Sequence, residues 1–137
     1  MTVNVVHMPT RYQQLRQSVR RLAASPEEQV AYLDSILGHM TSDGDVSGYG
    51  NDELAMELED IFLASADMID HGELTAIEKA AIEPLDSLLE KWSGKKHADF
   101  WARSALFSDT RWREVRNVAS TALAHLPDEQ RAIGRSG

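Results

Sequence analysis

A chain of 137 residues with 42% hydrophobic and 26% charged side chains holds enough apolar material for one cored domain and too little bias for wholesale disorder. Its net charge of −8 opposes phosphate backbones and anionic lipid, and no run approaches the roughly 18 apolar residues of a membrane span, so neither nucleic acid nor membrane is an expected partner. The lack of cysteine excludes thiol catalysis, Cys-ligated zinc and disulfides and fits a reducing compartment; with no secretory pattern in Met-Thr-Val-Asn-Val-Val-His-Met-Pro, the cytoplasm is expected.

Residues 1–10 read as an N-terminal extension, 11–126 as one helical domain and 127–137 as a polar, frayed tail. The first predicted helix places Tyr12, Leu15, Val19 and Leu22 at three- and four-residue spacings, with Arg16 and Arg20 on another face. Ser25, Pro26, Glu27 and Glu28 supply an N-cap, a first-position proline and first-turn acids for a second helix through Val30, Leu33 and Leu37, with Gly38 as its stop. The stretch from Thr41 to Asn51 is dense in turn formers and reads as an acidic, glycine-rich loop.

Asn51 is the expected cap of a third helix whose apolar face carries Leu54, Leu58, Ile61, Phe62, Ser65 and Ile69, ending at Gly72. Thr75 and Glu78 form a capping box for a fourth, with Ile77, Ala81, Leu85, Leu88 and Trp92 as core positions and Pro84 as the place of a kink or split. Ser93 to Lys96 is a break. A fifth helix is predicted from Ala98 to Phe107. Asp109 caps a sixth through Trp112, Val115, Ala119, Ala122, Leu123 and Leu126, which Pro127 stops. The fold class is therefore all-α, a single-domain bundle of five or six helices with the acidic loop between helices two and three.

The charge is segregated. Between Leu22 and Glu78 there are fourteen Asp and Glu and no Lys or Arg, which leaves a net of +6 on the rest of the chain. On the third helix Glu53, Glu57, Asp60 and Asp67 face away from the apolar side, flanked by a strip of Asp52, Glu59 and Asp70. Like charges one turn apart each cost about 0.2 to 0.5 kcal/mol, with no cation on that helix to offset them. Arg16, Arg20 and Arg21 of the first helix, or a cationic partner, would offset them. Tyr49, on the glycine loop beside this helix, suits an aromatic interface anchor.

Other constellations fall short of known chemistry. Asp43, Asp45, Ser47 and Gly48 match the first half of an EF-hand loop, but the twelfth position is Leu54 instead of a carboxylate. A second partial match from Asp67 to Glu78 has that carboxylate but carries Ile69 and His71 at its third and fifth positions. Turn and cap chemistry accounts for both. The five histidines include no pair spaced for zinc, and Glu53, Glu57 and Asp60 lack the Glu-x-x-His spacing of bundle di-metal sites. No catalytic signature is present, so no enzyme activity and no cofactor or metal are expected. Trp92, Trp101 and Trp112 read as packing residues, with Arg116 as their structural neighbour.

Taken together, Tyr49-Gly-Asn-Asp-Glu53-Leu54, Gly72-Glu-Leu74-Thr75-x-x-Glu78 and Trp101-x4-Leu106-x2-Asp109-x2-Trp112-x2-Val115-Arg116-x2-Ala119 resemble small helical immunity proteins of bacterial polymorphic and contact-dependent growth inhibition toxin systems. The resemblance spans about Gln29 to Leu126. It implies a non-enzymatic cytoplasmic antitoxin that binds one cognate toxin domain, typically a nuclease with a basic cleft, and blocks it. From the charge pattern, the expected partner-binding residues are Asp43, Asp45, Tyr49, Asp52, Glu53, Glu57, Asp60 and Asp67. The alternative is an acidic helical adaptor or regulatory protein, responsive to calcium.

Overall fold

The computed structural model describes residues 9–37 and 50–129. Gly38, the acidic loop with Asp43, Asp45 and Tyr49, and most of both expected terminal segments lie outside the described residues. The fold is all-α: α1 (Arg11–Ala23), α2 (Pro26–Leu37), α3 (Asp52–Phe62), α4 (Ser65–Asp70), α5 (Ala76–Lys91), a 3-10 segment (Lys95–Trp101), α6 (Ala105–Ser108) and α7 (Thr110–Leu123).

α1 and α7 form the spine, with α3 packed on α1 and α5 on α7. On α1 the predicted stripe of Tyr12, Leu15, Val19 and Leu22 is wholly buried, each side chain contributing about 1.5 to 3 kcal/mol of burial free energy. Thr10 caps the helix through a reciprocal bond pair with Gln13. Ser25 accepts from the Glu28 N–H at 3.2 Å at the start of α2, as the Ser-Pro-Glu-Glu pattern requires. α7 follows its sequence closely: the Asp109 carboxylate accepts from the Arg111 N–H, and Trp112, Val115, Ala119 and Ala122 face the core.

Several expectations are corrected. The third helix does not run on to Gly72; it stops at Phe62, and α4 begins at Ser65. The bend brings Met68 fully into the core while Ile69 stays half-buried. Asn51 makes no side-chain cap bond; it is buried, and its amide nitrogen donates to the carbonyls of Phe100 at 3.4 Å and Ala102 at 2.7 Å.

α5 keeps its Thr75–Glu78 capping box, but its core phase is rotated by one position. Ile82, Leu85 and Leu89 are buried, whereas Ile77 is 76% exposed. Ile82 and Leu89 flank Leu85 at helical spacing and offer more apolar area than Ala81, so this face goes inward. Pro84 does not split the helix. It removes one backbone donor on an exposed face, and the buried residues on either side hold the helix together.

The fifth predicted helix is instead the 3-10 segment and the four-residue α6, with Ala102 extended between them. Tertiary bonds capture the carbonyls that an α-helix would use. The Phe100 carbonyl accepts from Trp112 Nε1 as well as from Asn51, and Trp101 Nε1 donates to the Trp92 carbonyl at 2.9 Å.

Candidate functional site

The tryptophans form one aromatic cluster around Phe100. The buried Trp112 ring stacks on Phe100 with centroids 4.4 Å apart and planes 2° from parallel. Trp101 meets Phe100 edge-on at 4.7 Å. Such pairs add about 0.5 to 1.5 kcal/mol beyond burial. Arg111 lies over the Trp92 ring at 5.1 Å while its guanidinium bonds Asp109 and Asp99. Both carboxyls are thereby held below the usual carboxylate range. Arg116 donates to the Leu106 carbonyl at 3.0 Å and to Gln29 at 3.2 Å, a structural role joining α7 to α2 and α6.

One side of this cluster opens onto a groove of about 590 Å³ between α3 and α5, with Trp101 in its lining. The two helix walls are built alike. α3 contributes Asp52, Ala55, Met56 and Glu59, and α5 contributes Asp86, Leu89 and Glu90, with Ser93 just past its end; both sets follow the i, i+3, i+4, i+7 spacing of one helix face. The result is an apolar floor with four carboxylates on its walls. Among the described side chains no Lys or Arg lines it. None of these four carboxylates takes part in an ion pair among the described side chains.

Asp86 is the electrostatic centre. Partial burial pushes its carboxyl up from the ordinary value, and the negative charges of Glu90, Glu59 and Glu83 push it further in the same direction. Three of those four residues come from α5 and one from α3, so the groove concentrates a negative potential that neither helix makes alone.

The sequence-predicted residues distribute unevenly around this groove. Asp52 stands in its wall, exposed. Asp60 is exposed on α3 outside the lining, and Glu53 is half-buried. Glu57 is bound within the fold: Arg21 Nη1 donates to it at 3.1 Å, the Tyr32 hydroxyl donates to its other oxygen, and Arg21 stacks 4.1 Å over the Tyr32 ring. Asp67, on α4, accepts from Arg11 at 2.9 Å.

Internal pairing reaches further than the first helix's Arg16, Arg20 and Arg21 alone suggest. Arg11 also holds Glu73 at 2.7 Å, and Arg103 holds Asp34 at 2.7 Å. Arg16 donates instead to the Leu126 carbonyl at 2.8 Å. The acidic segment is thus partly neutralised by arginines brought from α1 and from the turn before α6, and of its acids left without an arginine Asp52 and Glu59 stand at the groove.

Sequence reasoning missed the α5 wall. Glu83, Asp86 and Glu90 follow one helix face, but they lie beyond the Lys- and Arg-free stretch and beside Lys91. Their spacing of three and four was the available signal.

Among the described residues no group of three His, Asp or Glu is arranged to hold a metal ion. The partial EF-hand match from Asp67 to Glu78 is occupied by other bonds, Asp67 and Glu73 to Arg11 and Glu78 to the Thr75 cap. No helix among the described residues is long and apolar enough to cross a membrane. The chain matches no family model, no curated protein and no solved structure.

Proposed function

We propose that this protein binds and neutralises a basic partner domain through the α3–α5 groove, as the immunity component of a bacterial toxin–immunity pair acting in the cytoplasm. The observation that carries this reading is the coincidence of an apolar floor with four carboxylates that no described cation offsets. Apolar floor supplies affinity and excludes water; the surrounding negative potential supplies speed and orientation. A nuclease toxin presents the complementary surface, since a cleft shaped for phosphate backbones is basic. Occupying that cleft with carboxylates blocks it without any chemical step, and the protein acts by binding alone.

The direct test is coexpression with the C-terminal domain of the protein encoded by the neighbouring reading frame. Copurification is expected, together with loss of that domain's toxicity. Glu59→Lys with Asp86→Lys should slow association by about tenfold or more at low salt, an effect that fades as salt screens it. An unchanged association rate for this folded double variant overturns the electrostatic reading.

A further inference from the structure

We infer that the element entering the groove is a basic amphipathic helix. This rests on the basic-partner reading above and specifies what part of that partner the groove holds.

The α3 wall does not end at the groove. Asp52, Met56, Glu59 and Leu63, the last at the helix C-cap, follow one another at spacings of four, three and four, so at about 100° per residue they share one face, an arc of about 60°. Met56 is 45% exposed and Leu63 81% exposed, two of the four large hydrophobic side chains that the described surface displays. Each is next to a carboxylate on this face. The two apolar residues stand seven apart, about 10.5 Å or two turns along the helix.

That repeat is the spacing at which a partner helix presents apolar residues to a seam. Across the groove Leu89 and Ala98 continue the apolar floor, and Asp86 and Glu90 repeat the acidic edge. A helix laid between α3 and α5 therefore meets apolar atoms along its centre and carboxylates on both flanks. Its complementary sequence has Leu, Ile or Met at i, i+3 or i+4 and i+7, with Lys or Arg beside them. An extended peptide lacks an anchoring edge here, because the described residues contain no β-strand to extend.

The test uses the intact protein and synthetic peptides of about 14 residues, four helical turns. One is a Leu/Lys peptide with its leucines phased on a single face. The second has the same composition with the leucines scattered, and the third replaces every Lys of the first by Glu. Binding is read from the fluorescence of the tryptophan cluster that includes Trp101 and by calorimetry at low salt, and induced helicity by circular dichroism. The phased Leu/Lys peptide should bind at least about tenfold more tightly than the scattered one. Met56→Glu and Leu63→Glu should each remove most of that preference, although both add negative charge that would strengthen a purely ionic contact. Equal binding of phased and scattered cationic peptides, or unchanged affinity in both variants, overturns the helix inference and leaves the basic-partner reading standing. If the Glu peptide binds as well as the Lys peptides, or no cationic peptide binds, the basic-partner reading itself is overturned.

Discussion

The Arg11 guanidinium grips the buried carboxylate of Glu73 through two parallel bonds, Nε to Oε1 at 2.8 Å and Nη2 to Oε2 at 2.7 Å. Glu73 is fully buried, and its neighbour Asp67 accepts from the third nitrogen of the same fork. The start of α1 is thereby clamped to the turn between α4 and α5. These bonds, to Glu73 first and then to Asp67, raise the Arg11 pKa further above its ordinary value, so the charge persists across the accessible pH range.

Arg11→Ala removes both of these guanidinium bonds from the buried Glu73 carboxylate and should cost about 3 kcal/mol of stability by urea denaturation, as breaking a buried pair does. Arg11→Met combined with Glu73→Leu removes both charges and should recover most of that loss. A double variant no more stable than Arg11→Ala would mean that the pair is not the clamp.

Glu57→Lys should cost about 1 to 2 kcal/mol, because it breaks the Arg21 ion pair and the Tyr32 hydrogen bond together. Burial first, and then the bond to Glu57, pushes the Tyr32 phenol up to about 12. The folded state therefore holds that proton more firmly than the unfolded chain. This stabilisation is complete below the unfolded value of about 10 and is lost as pH rises through about 12. An absorbance titration of the wild type should show Tyr32 ionising near the upper value, and Glu57→Ala should move it back toward the lower one.

Asp86→Asn should raise the melting temperature at neutral pH. The carboxyl has a raised folded pKa, so its repulsion with Glu90, Glu59 and Glu83 is present once it ionises and vanishes when it is protonated in acid. Glu83 and Glu90 are its like-charged neighbours one turn away on α5, and each such pair costs about 0.2 to 0.5 kcal/mol. The advantage of Asp86→Asn should shrink steadily as pH falls through the carboxylate range, which a calorimetric series over pH reads directly.

Gly94 has φ +104 and ψ 160, a conformation that side chains rarely adopt, and a Cβ placed there would meet nothing within 4 Å. Gly94→Ala should therefore cost about 1 to 3 kcal/mol from backbone strain alone. Since no clash contributes, Gly94→Ser should cost about the same by thermal denaturation.

Local signals were legible wherever the chain satisfies its own backbone. The Thr75–Glu78 box, the Ser25 cap and the Asp109 cap are contacts across two or three residues, and all three form. The α1 stripe was legible because it is apolar on one face only. α5 offers two overlapping apolar faces, and which one turned inward depended on the neighbours across the interface. The 3-10 segment was hidden for a different reason, since its Phe100 carbonyl bonds to Asn51 and Trp112, residues 49 and 12 positions away.

By itself the sequence determined an all-α chain and an acidic stretch without Lys or Arg from Leu22 to Glu78, because helix periodicity and charge are local properties. Only the tertiary structure decided which acids are offset. Packing brought Arg11, Arg21 and Arg103 onto Asp67, Glu73, Glu57 and Asp34, and it set Glu59 of α3 facing Asp86 of α5 across an apolar floor. Coulomb energy depends on distance in space, and distance along the chain does not specify it.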